Sequence, residues 1–305
     1  MTDSAYGPLI DTHLRVVTYN LWWRFGPDGP DGRPSWERRL PAIIATLRAL
    51  DADVICLQEV WVELEAGRSS ASLIAEALGM EHAISNRADL DGIGFANAVL
   101  SRWPITGSDW RALPSPDRHE EYRTVVRADI AGPRGAIQAF STHLHWRFDH
   151  SAIRQDEVRE ICRFIAESPR RTAMPPILCG DFNADPDSDE IRMLRGATTP
   201  PVPGLVFHDA WHAAAAKVGP IAADGTTTSA LGTTWSNDQP YARLDLEPDR
   251  RLDYVFIGWP KAGGAGQALR ADVIGVDPIA PVGADDTRDP IYPSDHYGLA
   301  VDLRY

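Results

Sequence analysis

The chain has 305 residues, 44% of them hydrophobic, which is enough for one sizeable core, and we expect a single domain over residues 1–305. A formal net charge of −13, without any run of lysines or arginines, argues against a protein that holds long nucleic acid tightly by charge. The chain shows no apolar stretch of membrane-spanning length, no signal sequence and three scattered cysteines, so we expect a cytoplasmic protein with free buried thiols.

Strands and helices are predicted to alternate along the chain. Serines at or beside the starts of apolar helical patterns predict four helices, which begin near Ser35, Ser69, Ser151 and Ser188. Apolar, often β-branched runs predict strands at residues 15–19, 53–57, 96–100, 123–130, 135–141, 176–179, 251–256 and 299–303. The turn at residues 132–135 requires an antiparallel hairpin, so the sheets are not expected to be wholly parallel.

Polar side chains stand at the ends of several predicted strands. They are Asn20, Glu59, His143, Asp181, Asn183, Asp253, Asp295 and His296. Because alternate residues of a strand share a face, Asp181 and Asn183 are expected to point the same way. A carboxylate beside an amide suits holding a water or a metal ion against a phosphate oxygen. A lone acid at a strand end is usually only solvated, but this set together predicts one functional site.

Seven short motifs give this set a family resemblance. They are Tyr19-Asn20, Leu57-Gln58-Glu59, the run from Leu100 to Ile105, Thr142-His143-Leu144, Gly180-Asp181-Phe182-Asn183, Leu252-Asp253-Tyr254 and Ser294-Asp295-His296. In this order they resemble the endonuclease/exonuclease/phosphatase superfamily of deoxyribonucleases, abasic-site endonucleases, neutral sphingomyelinases and inositol polyphosphate 5-phosphatases. The resemblance implies an α+β fold, a four-layer α/β/β/α sandwich of two mixed β-sheets flanked by helices. It also implies metal-dependent hydrolysis of phosphate esters.

The resemblance assigns expected roles to the strand-end residues. Asn20, Glu59 and Asp295 are the expected ligands of Mg²⁺, with Mn²⁺ as the alternative ion. The expected catalytic residues are His143, Asp181, Asn183, Asp253 and His296. Among them, His296 is expected at the scissile phosphate with Asp253 orienting its ring, and Asp181 is expected to activate or position the water. Asn183 and His143 are expected to hydrogen-bond phosphate oxygens.

Substrate contacts are predicted from aromatic and basic residues close to these motifs. Trp22 and Trp23 follow Asn20, Trp146 follows His145, and Arg123 is a further candidate for phosphate. Aromatic rings at such a site stack on bases or bind a choline headgroup, and a structural role in the core is the alternative.

Two histidine pairs have spacings that also occur in metal sites. His143 and His145 lie two residues apart on a predicted strand, whereas His208 and His212 have helical spacing. For the second pair we favour a partly exposed helix face.

Three functional hypotheses follow. The first is a metal-dependent phosphodiesterase that acts on nucleic acid or a nucleotide-like diester, although the chain has no basic patch. The second is a sphingomyelinase-like or other small-molecule phosphoesterase. The third, from a different class, is a non-catalytic binding module of the same fold. No obligate protein partner is indicated, and the expected partner is a phosphate-ester substrate.

Overall fold

The computed structural model describes residues 9–23, 34–85, 92–115, 122–169, 172–215, 232–279 and 290–305. The strands are β1 (His13–Asn20), β2 (Val54–Glu63), β3 (Arg68–Ser69), β4 (Glu81–Ile84), β5 (Ile93–Ser101), β6 (Ile105–Ala112), β7 (Thr124–Gly132), β8 (Gly135–His143), β9 (Ile177–Asp181), β10 (Phe207–Asp209), β11 (Asp253–Gly258), β12 (Ala268–Ile274) and β13 (Gly298–Arg304). The helices are α1 (Trp36–Leu50), α2 (Ser70–Leu78), α3 (Ser151–Glu167), α4 (Asp189–Leu194) and α5 (Ala210–Ala215), with 3₁₀ turns at Ala242–Asp245 and Ala262–Gly264. None of the described helices is both long and apolar enough to cross a membrane.

The strands form two mixed sheets. Sheet A has the order β12-β13-β1-β2-β5-β4, with β3 beside β2, and sheet B has the order β10-β11-β9-β8-β7-β6. Each sheet contains a parallel pair, β1 with β2 and β8 with β9, among antiparallel neighbours. The carboxyl ends of parallel strands lie at the same edge of a sheet. Asn20 therefore lies opposite Gln58, and His143 lies opposite Asp181.

Three apolar cores hold four layers together. The core between the sheets contains buried side chains of both, such as Val16 and Cys56 from sheet A and Val126 and Cys179 from sheet B. A second core joins the outer face of sheet A to α1 and α2, and a third joins the outer face of sheet B to α3 and α4. The expected α/β/β/α sandwich is confirmed.

Local sequence signals account for several element ends. Ser69 accepts a hydrogen bond from the backbone N–H of Ser72 at 2.9 Å and caps α2, which ends at Gly79 with a φ of 67°. Ser35 precedes α1 as expected but makes no side-chain capping bond. The hairpin is confirmed, because Gly132 pairs with Gly135.

The helical interpretation of His208 and His212 was wrong. His208 lies on β10 and His212 lies in α5, since the chain changes from strand to helix after Asp209. The two histidines therefore share no helix face.

Candidate active site

The strand-end residues of both sheets meet at one edge of the sandwich. Asn20, at the end of β1, donates from Nδ2 to Glu59 Oε1 at 3.1 Å and to Asp181 Oδ2 at 3.0 Å. Asp181, at the end of β9, lies between His143 on β8 and Asp253 on β11, its register partners in sheet B. One amide thus bridges a carboxylate of sheet A and a carboxylate of sheet B, and the predicted convergence of these residues is present.

Glu59 reaches the site through a β-bulge. The sequence predicted that the second strand stops at Gln58-Glu59, but β2 continues to Glu63 and only shifts its register between Leu57 and Val60. Glu59 has a φ of 55°, an uncommon value for a residue other than glycine. A bulge re-aims a side chain without ending the strand, which brings the Glu59 carboxylate to Asn20.

His296 and Asp253 form a buried pair. The Nδ1 atom of His296 lies 3.0 Å from Asp253 Oδ2, and its Nε2 atom faces Asp181 Oδ2 at 3.7 Å. Burial opposes charge on the ring, but Asp253 and Asp181 raise the pKa of His296 well above its usual value. The two carboxylates therefore favour the cationic form of the imidazole.

His143 is held in the opposite state. Burial, followed by the nearby Arg123 guanidinium, lowers the pKa of His143 well below its usual value. Its Nε2 atom lies 3.0 Å from the Asn183 amide nitrogen, which also donates to the Leu144 carbonyl at 3.0 Å. Nε2 also faces Asp181 Oδ2 at 3.4 Å, whereas Nδ1 is buried and meets no hydrogen-bond partner among the described residues.

The carboxylates of the site are crowded. Burial and then Asp253 raise the pKa of Asp181 to about 6. Burial raises the pKa of Asp295 to about 7, to which Glu59 contributes against the opposing effect of His296. Buried acids so close together stay ionised only when positive charge offsets them.

The donor set fits a divalent cation. Asp181, Asp253 and His296 offer possible ligand atoms that all lie within 4.8 Å of one another in the described part of the chain. A protonated His296 has no lone pair for a metal, so the oxygen atoms of Asp181, Asp253 and the neighbouring Glu59 and Asp295 are the suitable donors. Oxygen donors of this kind suit Mg²⁺ or Mn²⁺, and a bound cation would offset the charge that raises the carboxylate pKa values. Asn20 directs its nitrogen to Glu59 and Asp181, while its oxygen accepts the Trp22 N–H at 2.9 Å. Its role as a metal ligand stays a prediction.

This arrangement of metal-suited carboxylates and histidines coincides with a family match. A model of the Endonuclease/Exonuclease/phosphatase family matches residues 17–296. The chain belongs to this family. Members of this family are phosphoesterases, which agrees with the expectation that the protein is a hydrolase.

Two curated relatives differ in length from this family member. Inositol phosphosphingolipids phospholipase C of Schizosaccharomyces pombe is 25% identical over 264 residues, which cover 80% of this chain and 59% of that protein. The Escherichia coli protein YbhP is 30% identical over 183 residues, which cover 56% of this chain and 66% of YbhP. The chain thus spans less than two thirds of either relative.

Solved structures show the same fold. A mannosyl-6-phosphatase of Bacteroides thetaiotaomicron aligns with a TM-score of 0.70 and 21% identity over 96% of this chain and 100% of that one. D. rerio TDP2, solved with a single-strand DNA product, aligns with a TM-score of 0.66 and 18% identity over 97% and 100% of the two chains. At identities this low, structural similarity shows a common fold but does not identify the substrate.

The predicted substrate contacts occupy different environments in this family member. Trp22 is only 4% exposed and stacks on Tyr241 with 5.1 Å between ring centroids, which leaves little of its ring for a ligand. Trp23 packs on Phe95, which also contacts the buried Arg123 guanidinium and the His143 ring. Trp146 is 50% exposed on the loop after β8. Of the three tryptophans, Trp146 is the one most open to solvent.

Sequence reasoning missed several buried charged residues, among them Arg39, Arg154 and Glu190. Arg39 lies in α1, and Arg154 forms a buried ion pair with Glu190 across α3 and α4. The signal was present in the helical period, because Arg39 lies three residues after Trp36 and four before Ile43, on the apolar face of α1. An arginine at such a position predicts a buried guanidinium with backbone or carboxylate partners.

Proposed function

We propose that this family member is a divalent-metal-dependent phosphodiesterase. The observation that carries the proposal is the cluster at Asp181, whose Oδ2 atom lies 3.4 Å from His143 Nε2 and 3.7 Å from His296 Nε2, while Asp253 Oδ2 lies 3.0 Å from the other ring nitrogen of His296. The pKa of His296 is raised and that of His143 is lowered in this cluster. Titratable groups whose environments separate their pKa values are typical of acid–base and electrostatic catalysis.

Each residue has a chemical task in the proposed reaction. Asp181 accepts the proton of the attacking water as the new bond to phosphorus forms and the bond to the leaving oxygen breaks, and its raised pKa makes it a better base. The His296 cation stabilises the charge that grows on the phosphoryl oxygens, and Asp253 fixes its ring. His143 lies beside Asp181 and is expected to hydrogen-bond a phosphate oxygen. A divalent cation, which Asn20, Glu59 and Asp295 would hold, would neutralise further phosphoryl charge.

The negative charge of the site favours a diester over a monoester. A diester brings one negative charge to the phosphorus, whereas a monoester brings close to two near neutral pH. Glu59, Asp181, Asp253 and Asp295 already surround the site, and electrostatic repulsion grows in proportion to the substrate charge. We therefore expect diester hydrolysis to exceed monoester hydrolysis.

Nucleotide-like diesters are one substrate class, and an exposed apolar rim favours amphiphilic diesters as a second. Phe148 is 53% exposed and Leu246 is 88% exposed, with a φ of 59° at Leu246. Phe148 packs on Arg250, whose guanidinium lies 4.4 Å from the Phe148 ring centroid and 3.3 Å from the Asn183 carbonyl oxygen, and Leu246 lies four residues before Arg250 in the chain. Apolar side chains joined in this way to the site suit an acyl chain more than a polyanion. The S. pombe relative, a phospholipase C of phosphosphingolipids, agrees with this second class.

The test compares hydrolysis of bis-p-nitrophenyl phosphate and p-nitrophenyl phosphate with Mg²⁺, with Mn²⁺ and with EDTA. We expect metal-dependent cleavage of the diester to dominate. Metal-independent cleavage, or cleavage of the monoester alone, would contradict the proposal.

A second panel separates the two substrate classes. We expect Trp146→Ala and Leu246→Glu to lower turnover of sphingomyelin micelles more than turnover of the small diester. Trp259→Ala is the matched control, because Trp259 is exposed but follows the far end of β11. Preferential cleavage of single-stranded DNA or RNA would favour the nucleotide-like class instead.

A further inference from the structure

Arg39 is a fully buried guanidinium that binds four backbone carbonyls. Its Nη1 atom donates to the Leu21 oxygen at 2.6 Å and to the Pro293 oxygen at 3.1 Å. Its Nη2 atom donates to the Trp22 oxygen at 2.8 Å and to the Trp23 oxygen at 3.0 Å. Three of the four acceptors are consecutive residues of the segment that follows β1, so one side chain determines the path of that segment.

The same segment turns its amides toward the candidate metal ligands. The Trp22 N–H donates to Asn20 Oδ1 at 2.9 Å, and the Trp23 N–H donates to Glu59 Oε2 at 2.6 Å. Trp22 has a φ of 57°, a value that tryptophan rarely adopts without compensating contacts. Arg39 supplies such contacts, because its guanidinium binds the carbonyls on both sides of this residue and lies 4.7 Å from the Trp22 ring centroid.

The fourth carbonyl connects Arg39 to the opposite side of the site. Pro293 is followed by Ser294, whose hydroxyl donates to the Asn20 carbonyl at 2.7 Å, and then by Asp295. Burial lowers the pKa of Arg39 to about 10, while Asp295 and Glu59 raise it, so the group keeps its charge at neutral pH. The guanidinium thus supplies positive charge close to both carboxylates.

We propose that Arg39 is a positioning residue that sets the separation and orientation of Asn20, Glu59 and Asp295 as a cation-binding set. The inference rests on the proposed function in one respect, namely that these three residues hold the divalent cation. Arg39 contacts neither substrate nor cation and acts through four carbonyls. Its planar fork serves several acceptors at once, which a lysine ammonium in the same place does not reproduce.

The test measures Mn²⁺ binding by titration calorimetry and steady-state kinetics with bis-p-nitrophenyl phosphate. In Arg39→Lys we expect the Kd for Mn²⁺ to rise by about 10- to 100-fold, the range found when partners of metal ligands are removed. We expect kcat to fall by a similar factor, while KM changes less than threefold because Arg39 itself does not contact the substrate. Arg39→Met, which also removes the charge, is expected to bind Mn²⁺ still more weakly.

Arg48→Lys is the matched control. Arg48 lies on the same helix and also donates to a carbonyl, that of Ala77 at 2.8 Å, but it is exposed and belongs to the end of α1 remote from the site. Its Mn²⁺ affinity and kcat should equal those of the wild type. Circular dichroism establishes that each variant is folded before binding is measured.

The outcomes separate the two proposals. Wild-type protein that neither binds Mn²⁺ nor cleaves the diester would overturn the proposed function. Wild-type binding together with a folded Arg39→Lys whose Mn²⁺ affinity and kcat lie within twofold of the wild type would overturn the positioning role alone. Unfolding of both Arg39 variants would also overturn it, because Arg39 would then support the core as a whole rather than the site.

Discussion

Substitution of Gly180 by alanine should lower both stability and activity, because there is no space for the added methyl group. Gly180 lies on β9 opposite Thr142 on β8, directly before Asp181. A Cβ atom built there would lie 2.1 Å from the Thr142 carbonyl oxygen, whereas real Cβ contacts are essentially never closer than 3.0 Å. Gly180→Ala must therefore move the two strands apart by about 0.9 Å. The obstacle is backbone, so no side-chain rotation relieves it.

This separation of β8 and β9 would occur next to the two site residues that these strands carry. His143 and Asp181 follow Thr142 and Gly180 directly, and their Nε2 and Oδ2 atoms lie 3.4 Å apart. Overpacking of this kind costs about 1–3 kcal/mol of stability. A misplacement near 1 Å in a catalytic arrangement costs about 100-fold in rate. We expect both losses in Gly180→Ala, measured by urea unfolding and by kcat for bis-p-nitrophenyl phosphate.

Gly79→Ala provides the control for this prediction. Gly79 has a φ of 67°, but nothing lies within 4 Å of its added Cβ atom. This variant should lose about 1 kcal/mol from backbone strain alone and keep its kcat. If Gly180→Ala kept a kcat within threefold of the wild type, close packing of β8 on β9 would not set the geometry of His143 and Asp181.

Three further predictions concern the charged residues. Glu59→Ala and His296→Ala should each remove nearly all hydrolysis while circular dichroism stays native, and near-normal turnover in either would refute the site assignment. Arg154→Met should lower the unfolding free energy by about 3–5 kcal/mol because it leaves the Glu190 carboxylate buried and unpaired, and urea unfolding with a smaller loss in the double variant Arg154→Met/Glu190→Leu tests this. Burial raises the pKa of Asp295 from 3.8 to about 7, so in EDTA the folded chain binds a proton that the unfolded chain has lost, and wild-type stability falls as pH rises through that window. The unfolding free energy of Asp295→Asn relative to wild type should accordingly increase from about pH 5 to pH 8, and an unchanged difference would contradict the pKa shift.

The meeting of the site residues at one edge of the sheets could be predicted because the local sequence indicates where each strand ends. Apolar runs that end in Asn20, His143 and Asp181 indicate carboxyl ends of strands, and parallel pairing brings such ends to one edge. The bulge at Glu59 could not be predicted from Gln58-Glu59 alone. The signal lay further along, where Val60-Trp61-Val62 continues as an apolar strand.

Long-range partners explain what remained hidden. Arg39 binds Pro293, 254 residues away, and Trp22 is covered by Tyr241 from another loop. The sequence around either residue does not predict these contacts, because they depend on how distant parts of the chain pack together. The helical period is compatible with Arg39 on the apolar face of α1, but the local sequence carries no information about the carbonyls that it binds.

Because the site residues come from both sheets, hydrolysis requires that the two sheets are formed and docked. Asn20 and Glu59 come from sheet A, whereas His143, Asp181 and Asp253 come from sheet B. A refolding intermediate with one sheet formed and the other unformed would have native-like backbone signals and no hydrolysis. In a refolding experiment, recovery of activity should therefore follow the docking of the two sheets and lag behind the recovery of circular dichroism.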